Sequence, residues 1–368
     1  MSIRYALLSL ILLLPLSGFA AENPETKKIN IAVVSSYHPE YIWSQMTNDG
    51  VLAALLEFGY LDDSKQGEKY TRTNHVESAR IVLQKYWMDT KRQNSPQQIA
   101  RSFARITDEL TTFKPDLVFL GDDNAANYFG NHYLDSKIPV VFWGVNGVPL
   151  KYGLLDSLQK PGHNITGIYQ AGYHREGVKQ LQKLIPGIKR IAVFSDDSAT
   201  GRPNAKKMQR YGMQGELGAE VVKMVITNSF ETWQKEALAI QDQVDAFFIS
   251  THNTLRNKDG NHVDYLDVAR WHLKNIHKPE IVAAAFSVKE GFLSTVDDSA
   301  FNQGYEAVKI AHSILSEGKN PAEISSYAPA QGPFIVNSWR AKMLGLEDRI
   351  KEQSEIIDQL IDEHQAWK

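Results

Sequence analysis

The part of the sequence between residues 139 and 197 constrains the fold more strongly than any other. A strand-like apolar run at residues 139–143 ends in a glycine turn, and a helical segment led by His174 then precedes a second strand-like run at residues 191–194. This succession is typical of a chain that leaves one parallel sheet and enters another through a short, turn-rich connection. We therefore expect two lobes, the arrangement that a ligand cleft between lobes requires.

Strand-like apolar runs recur along the chain at intervals that suit crossover helices. Their near-continuous apolar character indicates strands buried on both faces, as in parallel sheets covered by helices. Between them, segments such as residues 97–113 carry apolar side chains three and four positions apart, the spacing of an amphipathic helix. The alternation predicts an α/β fold with two doubly wound, Rossmann-like lobes. The predicted strands lie at residues 29–34, 117–120, 140–143, 191–194, 246–249 and 281–285.

The first twenty residues have the features of a cleavable secretory signal. Arg4 supplies a positive charge, residues 5–16 are almost entirely apolar, and Gly18 and Ala20 provide small side chains before the cleavage point. The apolar run of about a dozen residues is shorter than the ~20 needed to cross a bilayer, although an uncleaved membrane anchor stays an alternative. Because the sequence has no cysteine, it has neither a lipobox nor a disulfide framework. We expect a soluble protein in a Gram-negative periplasm.

Charge and motif content argue against several classes of protein. The formal net charge is −3 and charges of both signs are interspersed, so nucleic acid is not an expected partner. The histidines show no metal-ligand spacing, and the sequence contains neither a Gly-x-Ser-x-Gly nucleophile motif nor a glycine-rich phosphate loop. We therefore expect no catalytic residues, no metal and no cofactor. A Ser-His-Asp triad assembled from distant positions stays open as an alternative.

Three segments give the chain a specific family resemblance. Residues 161–167 read Pro-Gly-His-Asn-Ile-Thr-Gly, residues 184–190 read Leu-Ile-Pro-Gly-Ile-Lys-Arg, and residues 337–346 read Asn-Ser-Trp-Arg-Ala-Lys-Met-Leu-Gly-Leu. They resemble the crossing, helix end and closing segment of the ABC-transporter substrate-binding family that includes aromatic-amino-acid binders. His163 stands where that family's crossing has a second glycine. The resemblance extends over residues 28–346 and implies the type I periplasmic binding protein fold, with two lobes joined by a multi-strand hinge.

The domain boundaries follow from this rhythm and resemblance. We place the crossings between lobes near Thr166 and Gly167 and near Gly291. Beyond Leu346, apolar residues on a heptad-like spacing predict a C-terminal helix, which either packs back on its own lobe or serves in docking or dimerisation. The predicted segments are a signal peptide at 1–20, a first lobe at 28–165 plus 290–320, a second lobe at 166–289, a hinge return and closing segment at 321–346, and the C-terminal helix at 347–368.

Ligands of open parallel sheets bind beyond the carboxyl ends of the strands, and this rule selects the candidate site residues. The sharpest candidates lie in residues 37–43, where aromatic rings and a histidine stand at the start of a helix whose free backbone amides can hold a carboxylate. The alternative is that Trp43 packs beneath that helix and His38 only caps it. The candidate ligand-binding residues are Ser36, Tyr37, His38, Trp43, Asp122, Asp123, Asn124, Trp143, Asn146, Tyr169, Asp196, Asp197, Thr251, His252, Asn253, Phe286 and Ser287.

Paired carboxylates occur twice among these candidates. Asp122 and Asp123 could hold a metal or contact a ligand. Adjacent side chains diverge at a strand-to-helix turn, however, so an Asp that caps the next helix is the simpler alternative. Asp196 and Asp197 follow a predicted strand of the second lobe, from which a carboxylate could face the ammonium group of an amino-bearing ligand.

The residues and the resemblance support two functions of different classes. The first is a periplasmic solute-binding protein that captures a small polar or aromatic, amino-acid-like metabolite by cleft closure and delivers it to an ABC permease. The alternative is a ligand-sensing periplasmic protein that signals to a membrane histidine kinase, cyclase or chemoreceptor. Residues 37–43 and the predicted C-terminal helix favour this alternative. Both functions need a small-molecule ligand and a membrane protein partner.

Overall fold

A computed structural model describes residues 27–146 and 149–368 of the chain. The predicted signal peptide lies outside the described residues. No helix within these two ranges is both long enough and apolar enough to cross a membrane.

The first sheet is formed by the N-terminal half of the chain. Its neighbouring strands are parallel except at one edge, where β2 (His75–Glu77) runs antiparallel to β3 (Ile81–Trp87). Strand β3 was not among the predicted strands because Gln84 and Lys85 interrupt its apolar run. In spatial order the six strands are β2 (His75–Glu77), β3 (Ile81–Trp87), β1 (Ile29–Ser35), β4 (Leu117–Gly121), β5 (Val140–Asn146) and β6 (Ile165–Gln170).

The second sheet is formed by the C-terminal half and is also mostly parallel. Among its described strand pairs, only β11 (Ser294–Val296) and β12 (Phe334–Asn337) are antiparallel. In spatial order its strands are β13 (Gln359–Ile361), β12 (Phe334–Asn337), β11 (Ser294–Val296), β10 (Glu280–Val282), β9 (Ala246–Ile249), β7 (Arg190–Ser195) and β8 (Glu220–Ile226).

Helices cover both sheets, and their starts follow the sequence signals. Ser95 and Gln98 form the reciprocal hydrogen bonds of a capping box at the predicted helix start, with Pro96 in the first turn. The helices are α1 (Ile42–Glu57), α2 (Ser64–Thr73), α3 (Pro96–Phe113), α4 (Asp122–Ala125), α5 (Asn131–Tyr133), α6 (His174–Leu184), α7 (Gly201–Met213), α8 (Phe230–Ile240), α9 (Tyr265–Asn275), α10 (Ala285–Glu290), α11 (Ala300–Leu315), α12 (Ser338–Met343) and α13 (Glu347–Glu352), with a π-helical turn at Ala126–Gly130 between α4 and α5.

Helix α11 returns to the first lobe and packs closely on α1. A Cβ atom on Gly304 would lie 2.1 Å from the carbonyl oxygen of Thr47, and one on Gly50 would lie 1.9 Å from the carbonyl oxygen of Phe301. The two glycines therefore allow the helix backbones to approach each other. Apolar side chains of both helices join the buried cluster beneath the first sheet.

The chain crosses between the lobes at residues 171–173, 297–299 and 328–333, which separate the elements of the two sheets. The predicted crossings near Thr166, Gly167 and Gly291 are wrong. Thr166 and Gly167 lie inside β6, paired with β5, where a Cβ on Gly167 would lie 2.2 Å from the Phe142 carbonyl oxygen. That glycine serves a close approach of strands and not a hinge. The boundaries predicted at residues 166, 290 and 321 shift accordingly.

The predicted C-terminal helix at residues 347–368 is wrong. After the short α13 the chain forms β13, which pairs in parallel with β12 of the second sheet. Asn337 Nδ2 donates to the Glu363 carbonyl oxygen at 2.6 Å, and Arg270 Nε donates to that of Ala366 at 2.6 Å. Pairing with an open sheet edge and these anchors override the heptad-like spacing.

Candidate ligand-binding cleft

Residues that follow the strands of the first sheet contact residues that follow the strands of the second. Side chains of both lobes thereby meet between the two sheets, at the edge where open parallel sheets bind ligands. The lobes are in a closed arrangement. Five hydrogen bonds join the lobes across this cleft in the described residues. Three link neutral side chains: Tyr37 Oη and Thr200 Oγ1 (3.0 Å), Tyr41 Oη and Asn253 Oδ1 (3.3 Å), and Asn204 Nδ2 and Asn146 Oδ1 (3.1 Å). In the other two, Arg256 Nη2 donates to the Arg92 carbonyl oxygen (3.2 Å) and to Asn94 Oδ1 (3.0 Å).

An aromatic cluster, formed by Tyr37, Tyr41, Trp43 and Phe286, fills the contact between the lobes. The rings of Tyr37 and Tyr41 meet edge to face with centroids 5.1 Å apart, and Tyr41 meets Phe286 of the second lobe in the same way at 5.7 Å. Edge-to-face pairs are a favoured aromatic geometry. The cluster therefore gives the cleft a rigid apolar wall that spans both lobes.

Lys91 lies against this wall. It follows β3 in a loop that Thr90 fastens to the first lobe, since the Thr90 amide and hydroxyl both donate to the Ser36 carbonyl oxygen, at 2.9 and 2.7 Å. Lys91 Nζ lies 4.6 Å from the ring centroid of Tyr37 and 5.3 Å from that of Tyr41, within cation–π range. Burial lowers the pKa of this amine, and the surrounding carboxylates, Asp196 foremost, oppose that shift.

Asp122 is held in a strained and buried position beside Lys91. Its φ of 70° is in the left-handed region, which is uncommon for residues other than glycine and clusters at functional sites. Trp43 Nε1 donates to Asp122 Oδ1 at 2.8 Å, and Gly144 leaves room for that oxygen, because a Cβ there would lie 2.4 Å away. Burial, reinforced by the neighbouring Asp123, raises the pKa of Asp122 well above its ordinary value.

Asp123, in contrast, is fully engaged within the first lobe. Its Oδ1 accepts from Lys151 Nζ at 2.9 Å and from the Tyr152 hydroxyl at 2.8 Å, and its Oδ2 accepts from Asn146 Nδ2 at 2.7 Å. The two adjacent carboxylates point to different partners, as expected at a strand-to-helix turn. Asp123 positions Asn146 for its contact with Asn204 across the cleft.

Asp196 organises the opposing loops of the second lobe. Burial alone would raise its pKa, but Lys91 and four hydrogen bonds outweigh burial and hold the pKa below its ordinary value. The donors are the Ser198 and Thr251 hydroxyls, both at 2.6 Å, and the amides of Asn253 and Thr254, at 2.8 and 3.1 Å. Asp196 therefore fixes the loop that carries Asn253.

A groove of about 760 Å³ runs along the mouth of the cleft between the lobes. Asn124 of the first lobe and Asp197 of the second are among the residues that line it. Asn124 Nδ2 donates to Thr90 Oγ1 at 2.8 Å, and Asp197 pairs with Arg202 at 2.6 Å. Polar side chains of both lobes thus flank the entrance.

A family model described as ABC transporter substrate binding protein matches residues 84–354 of the chain. The chain belongs to this family. This match confirms the predicted family, whose members are substrate-binding proteins and are typically extracytoplasmic.

The relatives agree with the fold of this substrate-binding protein. A tyrosine-binding protein of Clostridioides difficile is 23% identical over 243 residues, a match that spans 66% of each chain and so just under two thirds of that relative. A Streptococcus pneumoniae ABC domain solved in complex with L-Trp has a TM-score of 0.68 at 19% identity and covers 91% of this chain and 100% of that one. A ligand-free, open substrate-binding protein with adhesive properties from Clostridium difficile has a TM-score of 0.64 at 20% identity, covering 90% and 99%. These likenesses confirm the predicted two-lobed α/β fold.

The cleft of this substrate-binding protein brings together many of the predicted site residues. Four of them contact side chains of the opposite lobe, namely Tyr37, Asn146, Asn253 and Phe286. Asp122 and Asp196 lie close enough to Lys91 to shift the pKa of its amine, and Thr251 supports Asp196. Trp43 belongs to the aromatic cluster and orients Asp122 through its indole N–H.

Other predicted residues of this substrate-binding protein have their side chains away from the cleft. Trp143 is inside β5 and not at its end, so its ring packs in the core beneath Gly121. Tyr169 packs against the other core cluster of the first lobe. Ser36 uses its hydroxyl to link the Gly121 carbonyl oxygen to the Ala125 amide, at 2.7 and 2.8 Å.

The structure also corrects the predicted roles of His38 and His252. His38 Nδ1 lies 3.2 Å from Asp89 Oδ1 within the first lobe, so it braces the loop that precedes Lys91. His252 Nε2 lies 2.9 Å from Glu290 Oε2, with both side chains 1% exposed, and Ser287 is a further neighbour of Glu290. His252 and Glu290 can be buried together because each gives the other a polar partner.

Sequence reasoning placed Tyr41 within the candidate segment 37–43 without selecting it, and it missed Lys91, Thr200 and Asn204 as members of the site. Lys91 and its loop follow β3, and an unrecognised strand gives no strand end to inspect. Thr200 and Asn204 belong to the start of α7, whose distance from β7 depends on the length of a loop. Among the described residues no cluster of three His, Cys, Asp or Glu side chains is arranged to hold a metal.

Proposed function

We propose that this protein is a periplasmic solute-binding protein that captures a small polar or aromatic, amino-acid-like metabolite and delivers it to an ABC permease. The observation that carries the proposal is the pair of hydrogen bonds that join Tyr37 and Tyr41 to residues across the cleft. Both tyrosines belong to the first lobe, and their partners, Thr200 and Asn253, belong to the second. A ligand bound against the aromatic cluster would therefore be enclosed when the lobes close.

The chemistry of the cleft supports an amino-acid-like ligand. Aromatic rings supply an apolar surface, Lys91 places a cation beside it, and the buried carboxyl of Asp122 offers oxygen acceptors. An α-amino acid carries a carboxylate, an ammonium group and a side chain, which match these three features. The relative described as tyrosine-binding and the structure solved with L-Trp bind ligands of this class.

Isothermal titration calorimetry with the twenty amino acids tests the proposal. The protein should first be unfolded and refolded, so that any co-purified ligand is removed. At least one amino acid is expected to bind, and at a hundredfold excess over its Kd it should stabilise the protein by about 2.7 kcal/mol. Such a gain raises the melting temperature by a few degrees. A panel in which no amino acid binds and none shifts the melting temperature contradicts the proposal.

Delivery to a permease is tested in cells. Uptake of the radiolabelled amino acid identified by calorimetry should fall in a strain that lacks this protein and recover when the protein is restored. Unchanged uptake together with confirmed binding would point to the sensor alternative. That alternative has lost one of its sequence arguments, because the predicted C-terminal helix is not formed.

A further inference from the structure

Lys91 is a buried cation without a hydrogen-bond acceptor. Its residue is 3% exposed, and Nζ makes no hydrogen bond to another residue in residues 27–146 and 149–368. The faces of the Tyr37 and Tyr41 rings attract the charge but accept no conventional hydrogen bond. A buried ammonium group has three N–H donors, and leaving them unpaired is costly.

The nearby carboxylates do not supply the missing acceptors. Asp123 is engaged by Lys151, Tyr152 and Asn146, and Asp196 already accepts four hydrogen bonds within the second lobe. Asp122 accepts from Trp43 Nε1, and it makes no hydrogen bond with Lys91 Nζ in the described residues. They act on Lys91 through their fields and favour its charged form. The ammonium group is thus kept charged at the wall of the cleft, with its N–H donors free for a bound molecule.

We propose that Lys91 binds the carboxylate of the ligand, so that the cleft selects amino acids over their uncharged carboxyl derivatives. The inference rests on the proposed function and adds to it the group that is recognised and the residue that recognises it. A carboxylate accepts charge-assisted hydrogen bonds from an ammonium group, which are stronger than neutral ones. The ligand side chain then lies along the aromatic cluster that already surrounds Lys91 Nζ.

A competing role for Lys91 is electrostatic attraction between the lobes. Asp196 belongs to the second lobe and is the first of the carboxylates that favour the charged amine. In that role Lys91 would stabilise the closed state for every ligand alike. The two roles therefore differ in their dependence on the ligand, and a comparison of an acid with its amide separates them.

The experiment is a calorimetric comparison of L-tyrosine with L-tyrosinamide, and of the tightest-binding amino acid of the panel with its carboxamide. The amide keeps the ammonium group and side chain but replaces the carboxylate by a neutral group of nearly the same shape. Each pair is measured on the wild type, on Lys91→Met and on Lys137→Met. Lys137 is exposed in the first lobe and does not line the groove, so this variant makes the same chemical change away from the cleft.

The wild type and Lys137→Met are expected to prefer the acid by about tenfold to a hundredfold, as for a hydrogen-bonded charge. In Lys91→Met the affinity for the acid should fall by a similar factor and the preference should nearly vanish. Equal affinities of the wild type for acid and amide would overturn the inference, and this comparison does not depend on the folding of a variant. The inference would also be overturned if Lys91→Met kept the full preference for the acid, or if it lowered the affinities for acid and amide equally.

Failure of the proposed function has a different signature. In that case the wild type binds no amino acid in the panel, and this inference is lost with the function on which it rests. Binding by the wild type without an acid preference leaves solute binding intact and removes only the role of Lys91.

Discussion

At the scale of single residues, Tyr41 connects the aromatic wall to the opposite lobe. Its ring packs on Phe286 while its hydroxyl donates to Asn253 Oδ1 at 3.3 Å. Burial raises the pKa of Tyr41 well above its ordinary value, so the hydroxyl stays a neutral donor at physiological pH. Asn253 Nδ2 has no partner among the described residues, which leaves a donor for a ligand in the same place.

Tyr41→Phe is expected to lower the affinity for the amino acid about two- to tenfold, because one neutral hydrogen bond of the closed state is lost. The melting temperature without ligand should change by no more than a few degrees, since the ring packing is kept. Tyr265→Phe is the matched control, because Tyr265 packs edge to face on Tyr41 at 6.4 Å and its hydroxyl makes no hydrogen bond in the described part of the chain. Calorimetry checks both variants, and equal affinities for the two would mean that the Tyr41 hydroxyl does not act in closure.

The site could be predicted from sequence as far as strand ends were visible. Tyr37, Asn146 and Asn253 follow apolar runs, and the rule of carboxyl strand ends brought them together. Lys91 escaped because Gln84 and Lys85 conceal β3, and these polar residues are tolerated there since Lys85 Nζ donates to Asn48 Oδ1 at 3.0 Å beneath the Tyr70 and Trp87 rings. Sequence patterns carry no information about such a tertiary partner.

At the scale of elements, the segments that cross between the lobes are tied together by Asp298. Its carboxylate accepts from the Gly172 amide of the first crossing at 2.8 Å and from Gln303 Nε2 of α11 at 3.3 Å. Burial, reinforced by Asp297 and opposed by the Gly172 hydrogen bond, raises the pKa of Asp298 to about 6. The folded state therefore binds this proton more tightly than the unfolded state does.

A raised pKa in the folded state means that stability is lost as pH rises, between the unfolded value near 4 and the folded value near 6. Asp298→Asn keeps an acceptor but cannot ionise, so its stability relative to the wild type should increase by about 2–3 kcal/mol from pH 4 to pH 7. Urea denaturation of both proteins at several pH values measures this difference, in which the other titrating groups largely cancel. Asp348→Asn, at a side chain that is 90% exposed, should show a flat difference. A flat profile for Asp298→Asn as well would contradict the assigned shift.

Elements with a strong local signal were predictable, and those that depend on a distant partner were not. The α3 start was visible in Ser95 and Pro96, because a capping box is a local arrangement. The heptad-like spacing after Leu346 was misleading, because the open edge of β12 offers backbone hydrogen bonds that a short amphipathic helix cannot match. The crossings were misplaced for a related reason, since Gly167 looks like a hinge in sequence but is required by strand packing.

At the scale of the whole molecule, the sequence was sufficient for two lobes because each sheet has its own continuous apolar strands and covering helices. The closed arrangement of those lobes depends on the few polar contacts across the cleft. The three hydrogen bonds between neutral side chains contribute only about 0.5–1.5 kcal/mol each, and the two that Arg256 donates to the first lobe are exposed or half-buried, where solvent weakens them. We therefore expect the ligand-free protein to populate an open state, and ligand contacts to shift the population toward the closed one.

The absence of cysteine makes this shift directly measurable. Cysteines introduced at Gln97 of the first lobe and Lys206 of the second are both exposed and flank the groove, so a nitroxide on each reports the separation of the lobes without background labelling. Pulsed electron–electron double resonance should give a long, broad distance distribution without ligand and a shorter, narrower one at saturating amino acid. A second pair at Gln97 and Lys137, both exposed in the first lobe, should be unaffected by ligand. If calorimetry demonstrates binding while the Gln97–Lys206 distribution stays the same, the lobes do not close on the ligand and the cleft-closure mechanism is wrong.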